Sequence, residues 1–145
     1  MFLGTYDHSL DGKGRLVMPS KFRGDLDKGC VITKGQEHCL YVFPMARWQE
    51  ETSRVSNLPR TDRRARKIAR SLFAGASDLS LDRQGRIQIP EKLRGYASLE
   101  KDVTVVGSAD HVEIWSTPVW EAEEAEADEY YSGIEEALGL GGEEL

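Results

Sequence analysis

Asp11-Gly12-Lys13-Gly14-Arg15 puts a carboxylate and a guanidinium four residues apart across a glycine, and Asp82-Arg83-Gln84-Gly85-Arg86 repeats the arrangement 71 residues later. Two chemistries fit these residue types. A guanidinium can hold phosphate oxygens or pair in bidentate fashion with a guanine edge, with Lys13 and Arg83 adding charge beside it. The same Asp and Arg can instead close the loop as an ion pair, which at a surface is weak. The two are compatible, because an aspartate that orients the arginine also keeps the loop in register. Asp11, Gly14, Asp82 and Gly85 are therefore candidate loop-supporting residues, and Arg15, Arg86, Lys13 and Arg83 candidate DNA contacts.

The elements around each loop follow from local chemistry. Gly14 and Gly85 permit a positive φ and hence a tight turn just before the arginine. Leu16-Val17-Met18 and Ile87-Gln88-Ile89 are short β-prone runs. Pro19 and Pro90 cannot donate to a ladder, so each strand is expected to stop there, with the proline opening a short helix (Ser20–Arg23 in the first copy) that ends at Gly24. The match extends back to Phe2 and Phe73, and about half of the positions from Phe2 to Gly24 are identical in the second copy without a gap. A duplication accounts for this.

The rest of the chain repeats the layout. Met1 to Leu10 is predicted to form the first strand. Cys30–Thr33 and Cys39–Phe43 form a predicted hairpin about Gly35. Val103–Val106 and Val112–Trp115 form another about the turn Gly107–Asp110. Between the units, Met45–Val55 and Thr61–Ala74 are predicted helices, the second capped by Thr61 or Asp62 and placing Ala65, Ile68, Ala69 and Leu72 on one face. Pro118–Ala127 is a third. The expected division is 1–48, a first domain; 49–72, a helical linker; 73–127, a second domain with its helix; and 128–145, an acidic tail expected to be disordered or only partly helical. Two units this small would struggle to bury separate cores and are expected to share one.

Net charge is −6 over 145 residues, but ten acids and no Lys or Arg lie from Glu121 onward. The preceding 120 residues hold 19 basic and 15 acidic groups, a mildly basic body carrying an acidic tail. Arg63, Arg64, Lys67 and Arg70 invite a recognition-helix reading, against a solvated face or a subunit contact; a secondary DNA or subunit contact is assigned to them. His38 beside Cys39 lacks a second ligand pair, so no metal is expected. No nucleophile elbow, phosphate-binding glycine loop or paired catalytic carboxylates occur, so no catalytic residue, cofactor or small-molecule substrate is expected. Trp48, Trp115 and Trp120, near strand ends and helix starts, read as core or interface anchors. No long apolar run or signal peptide is present, and a soluble cytoplasmic protein is expected.

The doubled Asp-x-x-Gly-Arg motif with Met18-Pro19 and Ile89-Pro90, the Phe2-Leu3-Gly4 start and Glu113-Ile114-Trp115 resemble the MraZ family of bacterial transcriptional regulators over about residues 1–127. The resemblance implies two tandem SpoVT-AbrB type domains, a mixed α+β, mainly β fold in which the units interlock as a swapped-hairpin β-barrel with short peripheral helices. It implies a ring-like homo-oligomer associated with the nucleoid. It implies binding of double-stranded DNA at short direct repeats in the promoter of the protein's own division and cell-wall gene cluster, mainly as a repressor, through Arg15 and Arg86. Three other readings stand beside it: an oligomeric protein-interaction hub using the basic helix without DNA readout, a metal- or thiol-dependent enzyme using His38 and Cys39, and an antitoxin-like DNA binder, against which the tandem arrangement argues.

Overall fold

The computed structural model describes residues 1–134. Eight strands and five helices follow in the order β1 (Thr5–Ser9), β2 (Arg15–Val17), α1 (Ser20–Leu26), β3 (Cys30–Lys34), β4 (Leu40–Pro44), α2 (Met45–Ser56), α3 (Arg63–Ala74), β5 (Ser77–Leu79), β6 (Arg86–Gln88), α4 (Glu91–Tyr96), β7 (Asp102–Ser108), β8 (His111–Ser116) and α5 (Thr117–Ser132). The fold is mixed α+β, built on an antiparallel six-stranded sheet in the order β1-β7-β8-β4-β3-β5, with a two-stranded ribbon, β2-β6.

The pairing is exchanged between the units. β1 of the first unit pairs with β7 of the second, Thr5 opposite Val106 through Ser9 opposite Asp102. β5 of the second pairs with β3 of the first, Ile32 opposite Ser77 through Cys30 opposite Leu79. The sheet order therefore reads the same when the units are interchanged. Leu16 opposite Ile87, at the centre of the ribbon, and Tyr41 opposite Glu113, between β4 and β8, mark the positions that map onto each other.

One core serves both units. Leu16, Met18, Phe22, Leu26, Ile32, Leu40 and Val42 from the first pack with Ile87, Ile89, Leu93, Val103, Val105, Val112 and Ile114 from the second, all almost fully buried. Phe22 carries the rings of Phe2 and Tyr6 edge-on at 5.2 and 5.3 Å. Burial of such side chains is worth roughly 1.5–3 kcal/mol each, and both units contribute to the one cluster. A second small cluster joins Cys39, Val106 and Trp115 to Tyr41 and Trp120. Trp48 lies against Phe43 and Phe73 at 5.8 and 6.2 Å, so the three tryptophans all pack on neighbouring aromatics.

Several boundaries differ from the sequence-based expectations. α1 runs through Gly24 to Leu26 because Phe22 and Leu26, one turn apart, both reach the core. Pro19 and Pro90 occupy the extended cap position (φ −51° and −56°) before α1 and α4, not the first helical position. The first strand is only Thr5–Ser9, Phe2 adding an isolated bridge to Ala109. β7 continues through Gly107 and Ser108, leaving a tight turn at Ala109 with φ +65°. α3 begins at Arg63, Asp62 capping it by accepting from Arg64 N at 2.9 Å. On its apolar face Ala65 is buried, but Ile68 is 53% exposed, because β3 and α2 cover less than the full width of that face. α5 extends past the expected end at Ala127 to Ser132, so the first five residues of the stretch expected to be disordered or only partly helical are helical; positions 135–145 of that stretch lie outside the described residues. No helix among the described residues is long and apolar enough to cross a membrane.

Candidate nucleic-acid interface

Each Asp-x-x-Gly-Arg loop is closed by its own aspartate. Asp11 N donates to the Arg15 carbonyl and Gly14 N to the Asp11 carbonyl, both at 3.0 Å. Oδ1 of Asp11 accepts from the backbone N–H groups of Lys13 and Arg15 at 2.9 Å, and Oδ2 accepts from Arg15 Nε at 2.6 Å. The second loop is nearly the same: Oδ1 of Asp82 accepts from Gln84 N and Arg86 N at 2.9 Å, and Oδ2 from Arg86 Nε at 2.7 Å. Gly14 and Gly85 adopt φ of +75° and +74°, which side-chain-bearing residues rarely accept.

The electrostatics follow from that geometry. The backbone hydrogen bond from Arg15 is the largest influence on Asp11. Against some desolvation, it acts with the Arg15 side chain and the Lys13 N–H to lower the carboxyl to about 2. The backbone hydrogen bond from Arg86 likewise leads in lowering Asp82. Both aspartates are thus ionised at neutral pH and their oxygens are spent inside the loop. The Nη atoms of Arg15 and Arg86 make no hydrogen bond among the described residues, although the two side chains are only 28% and 24% exposed. A guanidinium held by Nε and open at Nη is oriented for a bidentate acceptor.

The ribbon brings the loops together. Leu16 and Ile87 point into the core, so by strand alternation Arg15, Val17, Arg86 and Gln88 share the outer face. Met18 N donates to the Gly85 carbonyl at 2.8 Å and Ile89 N to the Gly14 carbonyl at 3.0 Å, so each strand is tied to the other unit's loop. Gln88 Nε2 donates to the Lys13 carbonyl at 2.8 Å. Lys13, Arg83 and Gln84 are exposed at the loop tips.

Sequence reasoning missed Arg23 and Arg94. Arg23 Nε donates to the Met18 carbonyl at 2.9 Å and Arg94 Nε to the Ile89 carbonyl at 3.1 Å. Each guanidinium covers the glycine of the opposite loop, Arg23 over Gly85 and Arg94 over Gly14. The signal was present, since both arginines recur at the same 71-residue offset as the loops.

The remaining candidates lie apart from the loops. Arg63, Arg64, Lys67 and Arg70 are exposed on α3, which packs on β3 and α2, and no hydrogen bond or ion pair joins them to either loop. Cys39 is buried, and burial leads in pushing its thiol far above the ordinary range. His38 Nδ1 lies 3.2 Å from the Tyr96 carbonyl. Among the described residues no three His, Cys, Asp or Glu side chains are grouped to hold a metal ion.

The family model of the MraZ protein, with the description antitoxin-like, matches this chain twice in tandem, over residues 1–71 and 72–138. The break between the matches falls where the internal repeat begins its second copy, and each match contains one Asp-clamped loop. On these matches, which span nearly the whole sequence, the chain belongs to the MraZ family.

Proposed function

We propose that this protein is a sequence-specific DNA-binding transcriptional regulator, acting mainly as a repressor at short direct repeats in the promoter of its own division and cell-wall gene cluster. The observation that carries the reading is the β2-β6 ribbon, whose outer face holds Arg15 and Arg86, their Nη atoms without a hydrogen bond among the described residues, between two tips bearing Lys13 and Arg83. A two-stranded ribbon fits the major groove, and a clamped arginine paired with a guanine edge contributes roughly 1–3 kcal/mol of discrimination. Lys13 and Arg83 would hold phosphates, fixing register without reading sequence.

The reading includes a swapped-hairpin barrel, with the ribbon and the six-stranded sheet as its walls, formed by two units of the SpoVT-AbrB type. One ribbon offers few base contacts, so binding draws on a ring-like homo-oligomer whose ribbons meet successive repeats, the linked sites raising effective concentration. Such a protein works in the cytoplasm at the nucleoid. The protein-interaction hub remains the second reading, favoured by one observation: the cations of α3 are exposed and unpaired among the described residues. The antitoxin-like description of the family is compatible with the first reading, since antitoxins of this domain type bind DNA.

Titration of the full chain against a duplex from upstream of its own gene, and against a shuffled duplex of equal composition, at two salt concentrations tests this. Preference for the native duplex that survives moderate salt and disappears in Arg15→Ala, Arg86→Ala is expected. Phosphate contacts alone give non-specific binding that falls steeply with salt. Equal weak binding to both duplexes, unchanged by the double substitution, sinks the reading.

A further inference from the structure

Two helices of this chain carry opposite charge on faces that nothing covers among the described residues. On α3, Arg63, Arg66, Lys67 and Arg70 recur at i, i+3, i+4 and i+7, one continuous stripe on the side opposite Ala65 and Leu72. On α5, Glu121, Glu124, Asp128 and Tyr131 recur at i, i+3, i+7 and i+10, also one stripe. No ion pair among the described residues involves either helix. Among the described residues α5 is anchored at its start, where Trp120 packs on Trp115 at 5.4 Å. From Glu124 to Gly133 every residue is exposed, with Tyr130 and Tyr131 at 78% and 75%. An unpacked helical stretch this short is marginal in water by itself, since isolated helices under roughly 12–15 residues rarely persist. Two adjacent tyrosines left bare at its end suit a contact with protein.

We propose that the acidic stripe of α5 from one copy seats on the basic stripe of α3 of a second copy. This rests on the assembly proposed above and names the surface that makes it. The charged stretches match in length, since Arg63–Arg70 and Glu121–Asp128 each extend over about two turns at about 1.5 Å per residue. With the helices parallel the charge on α3 is met along its stripe, and Tyr131, three residues past Asp128, comes beside the exposed Phe73, three residues past Arg70. The two surfaces are different patches of one chain, so the contact is head-to-tail: it propagates and closes into a ring when the rotation between copies permits. It also assigns the basic helix to subunit contact and leaves the ribbon for DNA.

Charge exchange tests the pairing. The mass of the full chain in solution is measured by light scattering for wild type, for Arg63→Glu, Lys67→Glu, Arg70→Glu, for Glu121→Lys, Glu124→Lys, Asp128→Lys, and for the six-fold combination. Circular dichroism verifies that each is folded. Wild type is expected to assemble, each triple variant to fall at least about two-fold in mass, and the combination to recover. Wild type that runs as a single chain overturns the inference together with the ring. An assembly whose mass neither triple variant changes overturns the inference and leaves the ring standing. Triple variants that dissociate without recovery in the combination overturn the direct pairing. Loss of duplex binding by the α3 variant at unchanged mass overturns it in favour of nucleic acid as the occupant.

Discussion

Arg94 of the second unit lies over Gly14 of the first, so close that a Cβ added to Gly14 would sit 2.7 Å from the Arg94 Cζ. The reciprocal pair is Arg23 over Gly85, closer still. The glycines therefore serve twice: they take a left-handed backbone, and they leave room for an arginine that fastens its own unit's strand–helix junction. Gly14→Ala is expected to cost about 1–2 kcal/mol from the backbone alone, with more from displaced Arg94. Thermal melts of Gly14→Ala with and without Arg94→Ala separate the two. The double variant should lose less than the sum, and strict additivity would mean that the guanidinium moves aside freely.

Lowered pKa values in the loops give a pH dependence of defined sign. The folded value of Asp11, about 2, lies below its ordinary 3.8. Its contribution is complete above the ordinary value and is lost as pH falls through the folded one. Loop closure should thus be unchanged from about pH 8 down to about pH 5 and weaken only in acid. Carboxyl titration by NMR should find Asp11 and Asp82 ionising below the chain's exposed carboxylates. Asp11→Asn should loosen Arg15 and weaken native-duplex binding without unfolding the protein; an unaltered affinity would remove the aspartate from the orienting role.

The loops were legible in the sequence because glycine and proline fix backbone torsions locally and because the duplication shows each signal twice. Which strands pair was not legible from the residues. Periodicity reports a buried face, as for Leu16 and Ile87, but says nothing about whether β1 pairs within its own unit or with β7. The exchange came only as an implication of the family resemblance. Gly24 was misread as a stop because nothing local records that Leu26, one turn past Phe22, fills the core. Arg23 and Arg94 escaped notice because their partners are backbone atoms of Met18 and Ile89 and glycines of the other unit, none of which a residue type announces.

The exchanged pairing makes the two units one folding unit. Leu16 and Ile87 are opposite each other, fully buried, at the centre of the ribbon. Leu16→Ala should cost about 2–5 kcal/mol. It should lower the melting temperature of both units together, in one transition. The separate fragments 1–71 and 72–145 should each be unfolded and should recover structure on mixing, because each lacks the strand, supplied by the other, that covers its own hairpin. Two transitions in the intact chain, or a stably folded single fragment, would refute a shared core.

His111 gives the opposite pH sign from the loops. It stands at the start of β8, with Nδ1 2.7 Å from Asp110 and Nε2 3.1 Å from Glu113. Asp110 also meets Arg47 at 2.7 Å, while Glu113 accepts from Trp115 Nε1 at 3.0 Å. The rings of Tyr41 and Phe43 close the site at 4.6 and 5.3 Å. Burial alone lowers the imidazole pKa, but the hydrogen bonds and charges of Glu113 and Asp110 outweigh it, and the net shift is upward. A raised folded pKa means that the stabilisation is complete below the ordinary value of 6.5 and is lost as pH rises through the folded value. Hydrogen bonds to charged groups contribute roughly 1.5–3 kcal/mol, so His111→Ala should cost stability on that order at about pH 5.5 and less at about pH 9. Denaturant unfolding of wild type and variant across this range supplies the difference directly. A gap between them that stays constant with pH would show that His111 acts by packing on Tyr41 and Phe43 and not by its charge.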